Sequence, residues 1–443
     1  MSTKDGTKDE HSELRTLLPH ILQAMHANNH WESVKSAEEI RCEKFANTLP
    51  CPSVRLLRPP ANSAEFPVAV KFESKTSVKR GSPFKLNQST VDVHQMLSDA
   101  GLSTTLLAYS VNDECSLPNF SVETVGVVCF DLAECMAVGE NYWAFANSVD
   151  GAGGHMAKLA AKLHKRVDVQ WFDTFRAEII ECCPLMKNVR NNSPMWVMMR
   201  PDHLAKERAA RLAECGGQGA GSGTGGGAEG GGKEANMPRK TFNKSYAHAP
   251  IDNDLNRFLA VLPEPSGHYA SRTVTVHGDM WAANVVVDAA NQARLIDLEG
   301  VTVSCAVTEL AQFGHQRAVS KVYLHEAMDL DDSGSVPTEE EIDQFWLEVL
   351  IAAHVQCDIL RRLCWHGCQE DDWGETSVRK LFAHAERFSA LVDILRKDSK
   401  LAMRILRKAA AEGAEGDWCK DEVMDEVLGK VPQEDLSLLE DKV

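Results

Sequence analysis

Residues 273–300 read TVTVHGDMWAANVVVDAANQARLIDLEG, and this is the segment around which the chain is organised. Short runs rich in Val, Leu and Ile alternate with polar turns, the pattern of strands joined by tight loops. The predicted strands are Val274–Val276, Val285–Val287 and Leu295–Ile296. A side chain that can bind a cation or accept a proton lies near the end of each run: Asp279, Asn284 and Asp297. We expect these loops to form the functional site.

The chemistry of this set points to transfer of a phosphoryl group. One carboxylate can accept the proton of an attacking hydroxyl, while a second carboxylate and an Asn hold magnesium against the phosphates. Magnesium prefers such oxygen ligands to His or Cys. The alternative is that Asp279 and Asp297 are ordinary turn residues, but turn chemistry alone does not require their joint spacing with Asn284.

The pattern H-G-D-x-x-x-x-N followed by D-x-E resembles the kinase-like phosphotransferases. This superfamily includes choline and ethanolamine kinases, aminoglycoside phosphotransferases and fructosamine kinases. The resemblance implies that Asp279 is the catalytic base and that Asn284 and Asp297 bind magnesium. It also implies that His277 is structural, steadying the catalytic loop, and that Glu299 can serve a second magnesium, as in choline kinases.

Residues nearer the N-terminus are candidates for binding ATP. Lys71 lies in the apolar run Val68–Phe72, and the resemblance implies that it contacts ATP phosphates. Asn47 is a candidate for the loop that covers the phosphates. Asp92, in a helix predicted from Thr90 to Ala100, is a candidate for an ion pair with Lys71. Plainer alternatives are a solvated strand lysine, a turn asparagine, and an acid that complements the helix dipole.

Residues beyond the motif bear on the acceptor. Glu309 stands where choline kinases have an Asp that braces the catalytic loop, and we expect the same role. His354 is followed by Cys357 and Leu360 at the positions where choline kinases have the Trp residues that hold the trimethylammonium group. Choline or ethanolamine is the leading acceptor. Aminoglycosides or sugar amines are the alternatives; Trp281, within the HGD loop, is similar to a Trp of fructosamine kinases and favours a sugar amine.

The predicted fold is a two-lobed, protein-kinase-like α+β fold with a small antiparallel-sheet N-lobe and a larger, mainly helical C-lobe. We expect a flexible N-terminus with a short helix at 1–29, an ATP-binding N-lobe at 30–140, a catalytic and substrate-binding C-lobe at 141–410, and an acidic tail at 411–443. A flexible insertion spans about 203–247, because Gly supplies 11 of the 17 residues from Gly216 to Gly232.

The composition of the chain limits the classes of partner that are expected. The 443 residues carry a net charge of −17, which speaks against nucleic acid or an anionic membrane as the partner. No signal peptide and no apolar run long enough to span a membrane is expected. The 13 scattered cysteines suggest reduced thiols in a cytoplasmic protein. The expected ligands are ATP, magnesium and a small-molecule acceptor, and a homodimer is left open.

Further readings of the sequence stay open. A pseudokinase scaffold with little turnover is favoured by the missing phosphate-loop Gly and by the Asp-to-Glu change at Glu309. Residues Asp329–Glu340 also match the spacing of a calcium loop, but Thr338 and Glu341 form a capping box that explains the acids without calcium.

Overall fold

The structure is a computed structural model, and it describes part of the chain. The described residues are 6–43, 54–72, 86, 88–111, 119–128, 148–166, 261–331, 335–360, 375–411 and 418–429. Asn47, the Gly-rich insertion and most of the acidic tail lie outside these ranges.

The N-terminal part of the chain contains a five-stranded antiparallel sheet with strand order β1-β2-β3-β5-β4. Its strands are β1 (Arg41–Glu43), β2 (Val54–Arg58), β3 (Val68–Phe72), β4 (Leu106–Ser110) and β5 (Phe120–Thr124). Strands β2 and β3 form an antiparallel hairpin, in which Val54 pairs with Lys71 and Leu57 with Val68. Successive side chains of a strand point to opposite faces. One face of β3 therefore presents Val70 and Phe72 to the core and the other presents Lys71.

The N-terminal helix covers the core face of this sheet. It is α1 (Gly6–Ala27), and its buried side chains include Leu17, Ile21 and Met25, packed with strand residues such as Val70. The predicted flexible N-terminus with a short helix was wrong in length, because the helix begins at Gly6. Once the apolar turns are anchored, each further residue adds a backbone hydrogen bond, so the helix extends into the polar segment.

Short strands organise the motif segment. They are β6 (Val127–Val128), β7 (Thr273–Val276), β8 (Val285–Val287), β9 (Ala293–Leu295) and β10 (Thr302–Cys305). Strand β7 pairs with β10, and β8 lies between β6 and β9, all antiparallel. The strand–turn–strand unit predicted from the sequence is thereby confirmed.

Helices make up most of the remaining described chain. They are α2 (Gln88–Asp99), α3 (Ala152–Arg166), α4 (His268–Ser271), α5 (Ala306–Leu310), α6 (Arg317–Leu330), α7 (Glu339–Ala353), a π-helix (His354–Leu360), α8 (Glu375–Lys397), α9 (Ser399–Ala411) and α10 (Asp421–Leu428). The predicted α+β class, a small antiparallel sheet with a larger helical part, is confirmed.

The chain divides into two compact units. The first contains the described residues up to Arg166 and those from Pro265 to Ala352; the second contains residues 261–264 and those from Ala353 onward. The whole motif segment and Lys71 belong to the first unit. Among the helices described, none is long and apolar enough to cross a membrane.

Candidate active site

The HGD loop leaves the end of β7 and packs backbone against backbone on the turn that follows Asp297. Gly278 has φ of 86°, and a Cβ there would lie 2.1 Å from the carbonyl oxygen of Gly300. A Cβ on Gly300 would in turn lie 2.9 Å from the carbonyl oxygen of His277. Only glycines allow this approach, so the pair brings the loop of Asp279 against the segment of Asp297.

His277 joins the same two segments through its ring. Its side chain is fully buried, Nε2 lies 2.8 Å from the carbonyl oxygen of Ile296, and Nδ1 lies 3.2 Å from the backbone nitrogen of Asp279. The backbone N–H of Asp279 donates to Nδ1, so Nε2 carries the proton and donates to Ile296. Burial lowers the pKa of His277, which keeps the ring neutral.

Glu309 holds the backbone of the HGD loop through hydrogen bonds. This residue of α5 is fully buried, and its carboxyl accepts the backbone N–H groups of His277 and of Gly278, the latter at 3.3 Å. Gln312 adds a bond from Nε2 to the carbonyl oxygen of Gly278 at 3.0 Å. Burial raises the pKa of Glu309 to about 8, although both backbone donors favour its ionised form.

Asp279 is held by the side chain of Asn284 from its own loop. Nδ2 of Asn284 lies 3.1 Å from Oδ2 of Asp279 and 2.9 Å from its carbonyl oxygen. Burial raises the pKa of Asp279, while the hydrogen bond from Asn284 opposes the rise. The result is a partly buried carboxyl group with a fixed orientation.

Asp297 meets Lys71 across 226 residues of sequence. Lys71 Nζ lies 2.5 Å from Asp297 Oδ1, and the two side chains are 22% and 48% exposed. Asp297 adopts the left-handed conformation with φ 62° and ψ 55°, uncommon for a residue with a Cβ. The neighbouring backbone N–H of Ile296 donates to the carbonyl oxygen of Asn284 at 3.0 Å. The Lys71 ammonium lowers the pKa of Asp297, so its carboxylate is ionised.

The oxygen atoms of this site suit magnesium. Asn284 uses its amide nitrogen on Asp279, which leaves its amide oxygen for a cation, and the Asp297 carboxylate is half exposed. An amide and a carboxylate, with water and substrate phosphates, are a common ligand set for Mg²⁺. Across the described residues, no group of three or more His, Cys, Asp or Glu side chains is placed to hold a metal ion.

Other predicted residues lie elsewhere or outside the description. Asp92 is exposed on α2 and accepts a hydrogen bond from Gln88 at 2.7 Å. The helix begins at Gln88 rather than Thr90, so the expected acid in its first turn is absent and the dipole argument for Asp92 was wrong. Glu299 lies in the 3₁₀ turn Leu298–Gly300, and its side chain is not among those described.

The candidate calcium loop is tied to basic residues at its start. Asp331 accepts hydrogen bonds from Lys165 at 2.9 Å and from Arg272 at 3.1 Å. At its other end Thr338 and Glu341 form the predicted capping box, with each backbone N–H bonded to the other side chain at 2.8 and 3.2 Å. Engagement of Asp331 favours the structural alternative over calcium.

Sequence reasoning missed residues that hold the site through backbone contacts. The contacts of Gly300 and of the Ile296 carbonyl follow from the close approach of two loops, for which spacing is a poor signal. The Gly directly after D-x-E was the available clue for Gly300. Cys357 and Leu360, at the positions where choline kinases have the Trp residues that hold the trimethylammonium group, fall in the π-helix, where their side chains are not described.

Comparison with known proteins gives similarity at the level of solved structures. No family model matches the chain, and no curated protein matches it. An ethanolamine kinase from Plasmodium vivax is similar at 7% identity and a TM-score of 0.37, over 82% of this chain and 85% of that one. A choline kinase from Streptococcus pneumoniae is similar at 13% identity and 0.32, over 80% and 94%.

A macrolide 2′-phosphotransferase from Brachybacterium faecium is also similar, at 14% identity and a TM-score of 0.34, over 84% of this chain and 97% of that one. These proteins are kinase-like small-molecule phosphotransferases, and the likeness concerns overall structure. Because the TM-scores are below 0.5, the site geometry and the motif, rather than this similarity, support the function proposed next.

Proposed function

We propose that the chain is a small-molecule kinase that transfers the γ-phosphoryl group of ATP to a hydroxyl of a small polar or cationic metabolite. The observation that supports this most is the pairing of two features in one loop assembly. The carboxylate of Asp279 is oriented by Asn284, and Asp297 meets Lys71 on the adjoining turn. Together they are the base, metal-ligand and cation set that phosphoryl transfer uses.

In the proposed reaction Asp279 orients the acceptor hydroxyl and takes its proton as the oxygen attacks phosphorus. The bond between the γ-phosphorus and the bridging oxygen breaks, and ADP leaves. Lys71 binds ATP phosphates. Asn284 and Asp297, with Glu299 for a second ion, would hold magnesium, which when bound offsets phosphate charge. Glu309 and His277 keep the loop in place, so the chemistry is mainly positioning and charge.

The test is release of ADP from magnesium-ATP over a panel of acceptors: choline, ethanolamine, aminoglycosides, fructosamines and methylthioribose. Choline and ethanolamine come first, because the D-x-E motif is most similar to choline kinases. Asp279→Asn keeps the shape of the side chain and removes the base. The matched control is Asp99→Asn, an exposed carboxylate on α2 that accepts a bond from Gln95.

We expect one acceptor to raise ADP release at least about tenfold over background, and Asp279→Asn to lower that rate by about 10²-fold or more. Asp99→Asn should leave it unchanged. Equal background rates for all three proteins with every acceptor would favour a pseudokinase scaffold. Protection of the first unit by ATP against thermal unfolding would then distinguish a nucleotide-binding scaffold from a protein that binds no ATP.

A further inference from the structure

A thiol and two imidazoles of the second unit form a hydrogen-bonded row, which consists of Cys419, His354 and His384. Cys419 Sγ lies 3.2 Å from His354 Nδ1, and His354 Nε2 lies 3.0 Å from His384 Nε2. The other ring nitrogen of His384, Nδ1, lies 3.8 Å from Oδ1 of Asp421. The members come from the π-helix, from α8 and from the turn before α10. Tertiary packing therefore aligns a nucleophile, a base and a second imidazole.

The row sets the positions of the ring protons. Two imidazole nitrogens 3.0 Å apart form a hydrogen bond only when one carries a proton and the other offers a lone pair. If His354 donates from Nε2, its Nδ1 accepts the S–H of Cys419, and His384 carries its proton on Nδ1, toward Asp421. The reverse direction would turn the lone pair of His384 Nδ1 toward a carboxylate. The first direction is therefore favoured, and it makes His354 the base for the thiol.

Packing holds the row in place and keeps most water from the sulfur. Cys419 is 2% exposed, and the fully buried ring of Phe388 has its centroid 4.4 Å from that of His354. Trp418 meets Phe388 edge-on at 5.7 Å. Burial among apolar groups alone disfavours a thiolate, whereas an adjacent imidazole that takes the proton favours it. The side chain of His384 is 25% exposed, so the far end of the row reaches water.

The charged groups of the row lie at that far end. Asp421 is 70% exposed, and Arg387 pairs with it at 3.4 Å and also with Asp425. Water and the Arg387 guanidinium screen the effect of Asp421 on His384. The chemistry of the sulfur therefore depends chiefly on the two imidazoles.

We propose that Cys419 is a peroxide-reactive thiol that His354 and His384 activate. His354 takes the thiol proton on Nδ1, and His384 accepts a hydrogen bond from Nε2 of the resulting imidazolium. The thiolate attacks one oxygen of hydrogen peroxide, so that an S–O bond forms and the O–O bond breaks. The imidazolium returns its proton to the leaving oxygen, which departs as water.

In this step sulfur is oxidised to a sulfenic acid and the peroxide is reduced. The small exposed fraction of Cys419 restricts the oxidant to the smallest peroxides. The site does not depend on the kinase function proposed above. The alternative is that Cys419 is a small apolar core residue whose S–H makes a weak hydrogen bond to a packing histidine.

The first test compares two cysteines of the same chain. Hydrogen peroxide is added to the reduced protein, dimedone traps sulfenic acids, and mass spectrometry measures labelling at each cysteine. Cys42 is the internal control, because it is more exposed than Cys419 and burial raises the pKa of its thiol. We expect Cys419 to be labelled at least about tenfold faster at pH 7. Equal labelling, or faster labelling of Cys42, overturns the proposal.

The pH dependence distinguishes an activated thiol from one that reacts only after local opening. Alkylation by iodoacetamide requires the thiolate, so its rate rises with pH around the pKa of the reacting thiol. We expect a midpoint for Cys419 below about pH 7.5, compared with about 8.5 for an ordinary thiol. A midpoint above that limit overturns the proposal, and the measurement requires no variant.

Variants of His384 test the row itself. His384→Phe keeps a ring and removes the acceptor, and we expect peroxide labelling of Cys419 to slow about tenfold. In His384→Gln the amide oxygen can accept in place of Nε2, and the rate should stay within about threefold of the parent rate. The matched control is His155→Phe, at an exposed position on α3. Unchanged labelling of Cys42 reports that each variant is folded.

A rate for Cys419 that is unchanged in His384→Phe overturns the proposal. Equal slowing in His384→Phe and His384→Gln overturns it too, because the loss would then not depend on an acceptor at this position. Should His384→Phe expose Cys42, the two measurements on the parent protein decide.

Discussion

Glu309 offers a sharp quantitative test, because it is a fully buried carboxyl in contact with the loop that carries the base. Both of its oxygens accept backbone N–H groups, from His277 and Gly278. Burial nevertheless raises its pKa from an ordinary 4.5 to about 8. Replacing Glu309 with Gln removes the titrating proton, keeps the size of the side chain and keeps one oxygen as an acceptor.

The sign of the effect follows from the direction of the change in pKa. Because the pKa is higher in the folded state than in the unfolded state, the group costs nothing below pH 4.5, and its cost grows as the pH rises toward 8. One unit of pKa corresponds to about 1.4 kcal/mol. Between pH 5 and pH 8 the parent protein should therefore lose roughly 3–4 kcal/mol of stability relative to Glu309→Gln.

The assay is urea unfolding of both proteins at pH 5, 6, 7 and 8, with the difference in free energy of unfolding as the result. At pH 5 the variant should be equal or slightly less stable, because the Gln amide nitrogen faces a backbone donor and leaves it unpaired, at a cost of about 1–3 kcal/mol. By pH 8 the order should reverse. A difference that stays constant from pH 5 to pH 8 would refute the description of Glu309 as a buried carboxyl with a raised pKa.

The remaining predictions concern the frame of the site. Gly278→Ala should lower the free energy of unfolding by at least about 3 kcal/mol, because the strain of a positive φ is joined by a collision of its Cβ with Gly300, whereas Gly267→Ala, with φ 88° and ψ 150° but open space, should cost only the backbone strain, about 1–3 kcal/mol; a loss in Gly278→Ala no larger than that in Gly267→Ala would contradict the close packing. Lys71→Met should weaken ATP binding about tenfold or more in a thermal-shift titration while leaving the unliganded melting temperature near that of the parent, and unchanged ATP protection would remove Lys71 from the nucleotide site. Asp331→Asn should cost about 1–3 kcal/mol in both calcium and chelator, and a calcium-specific stabilisation lost in the variant would revive the calcium loop.

Much of the motif segment could be predicted because its information is local. Strands β7, β8 and β9 follow from apolar runs between polar turns, and the spacing from His277 to Asn284 lies within one loop. The sequence places Lys71 in the apolar run Val68–Phe72, and this run is β3. Its pairing with Asp297 joins residues 226 apart in sequence, and only the resemblance to kinases suggested that they share a site.

The rest depends on tertiary packing that spacing does not encode. The apolar turns of α1 from Leu14 onward pack on the sheet, and the helix continues from them into the polar sequence that precedes them. Helix α2 begins at Gln88 rather than at Thr90, so Asp92 lies beyond its first turn. Asp92, the predicted partner of Lys71, is exposed. The contact between Gly278 and Gly300 arises from two loops meeting, and no property of either residue alone predicts it.

The proposed role of Asp279 as the base of a small-molecule kinase is decided by ADP release from the parent protein and from Asp279→Asn. With magnesium-ATP and the acceptor panel, we expect at least one acceptor to raise ADP release about tenfold or more over background, and this rate to fall by about 10²-fold or more in the variant. Acceptor-dependent release that is equal in Asp279→Asn and the parent protein would contradict the claim. Release that no acceptor stimulates in either protein would contradict it as well.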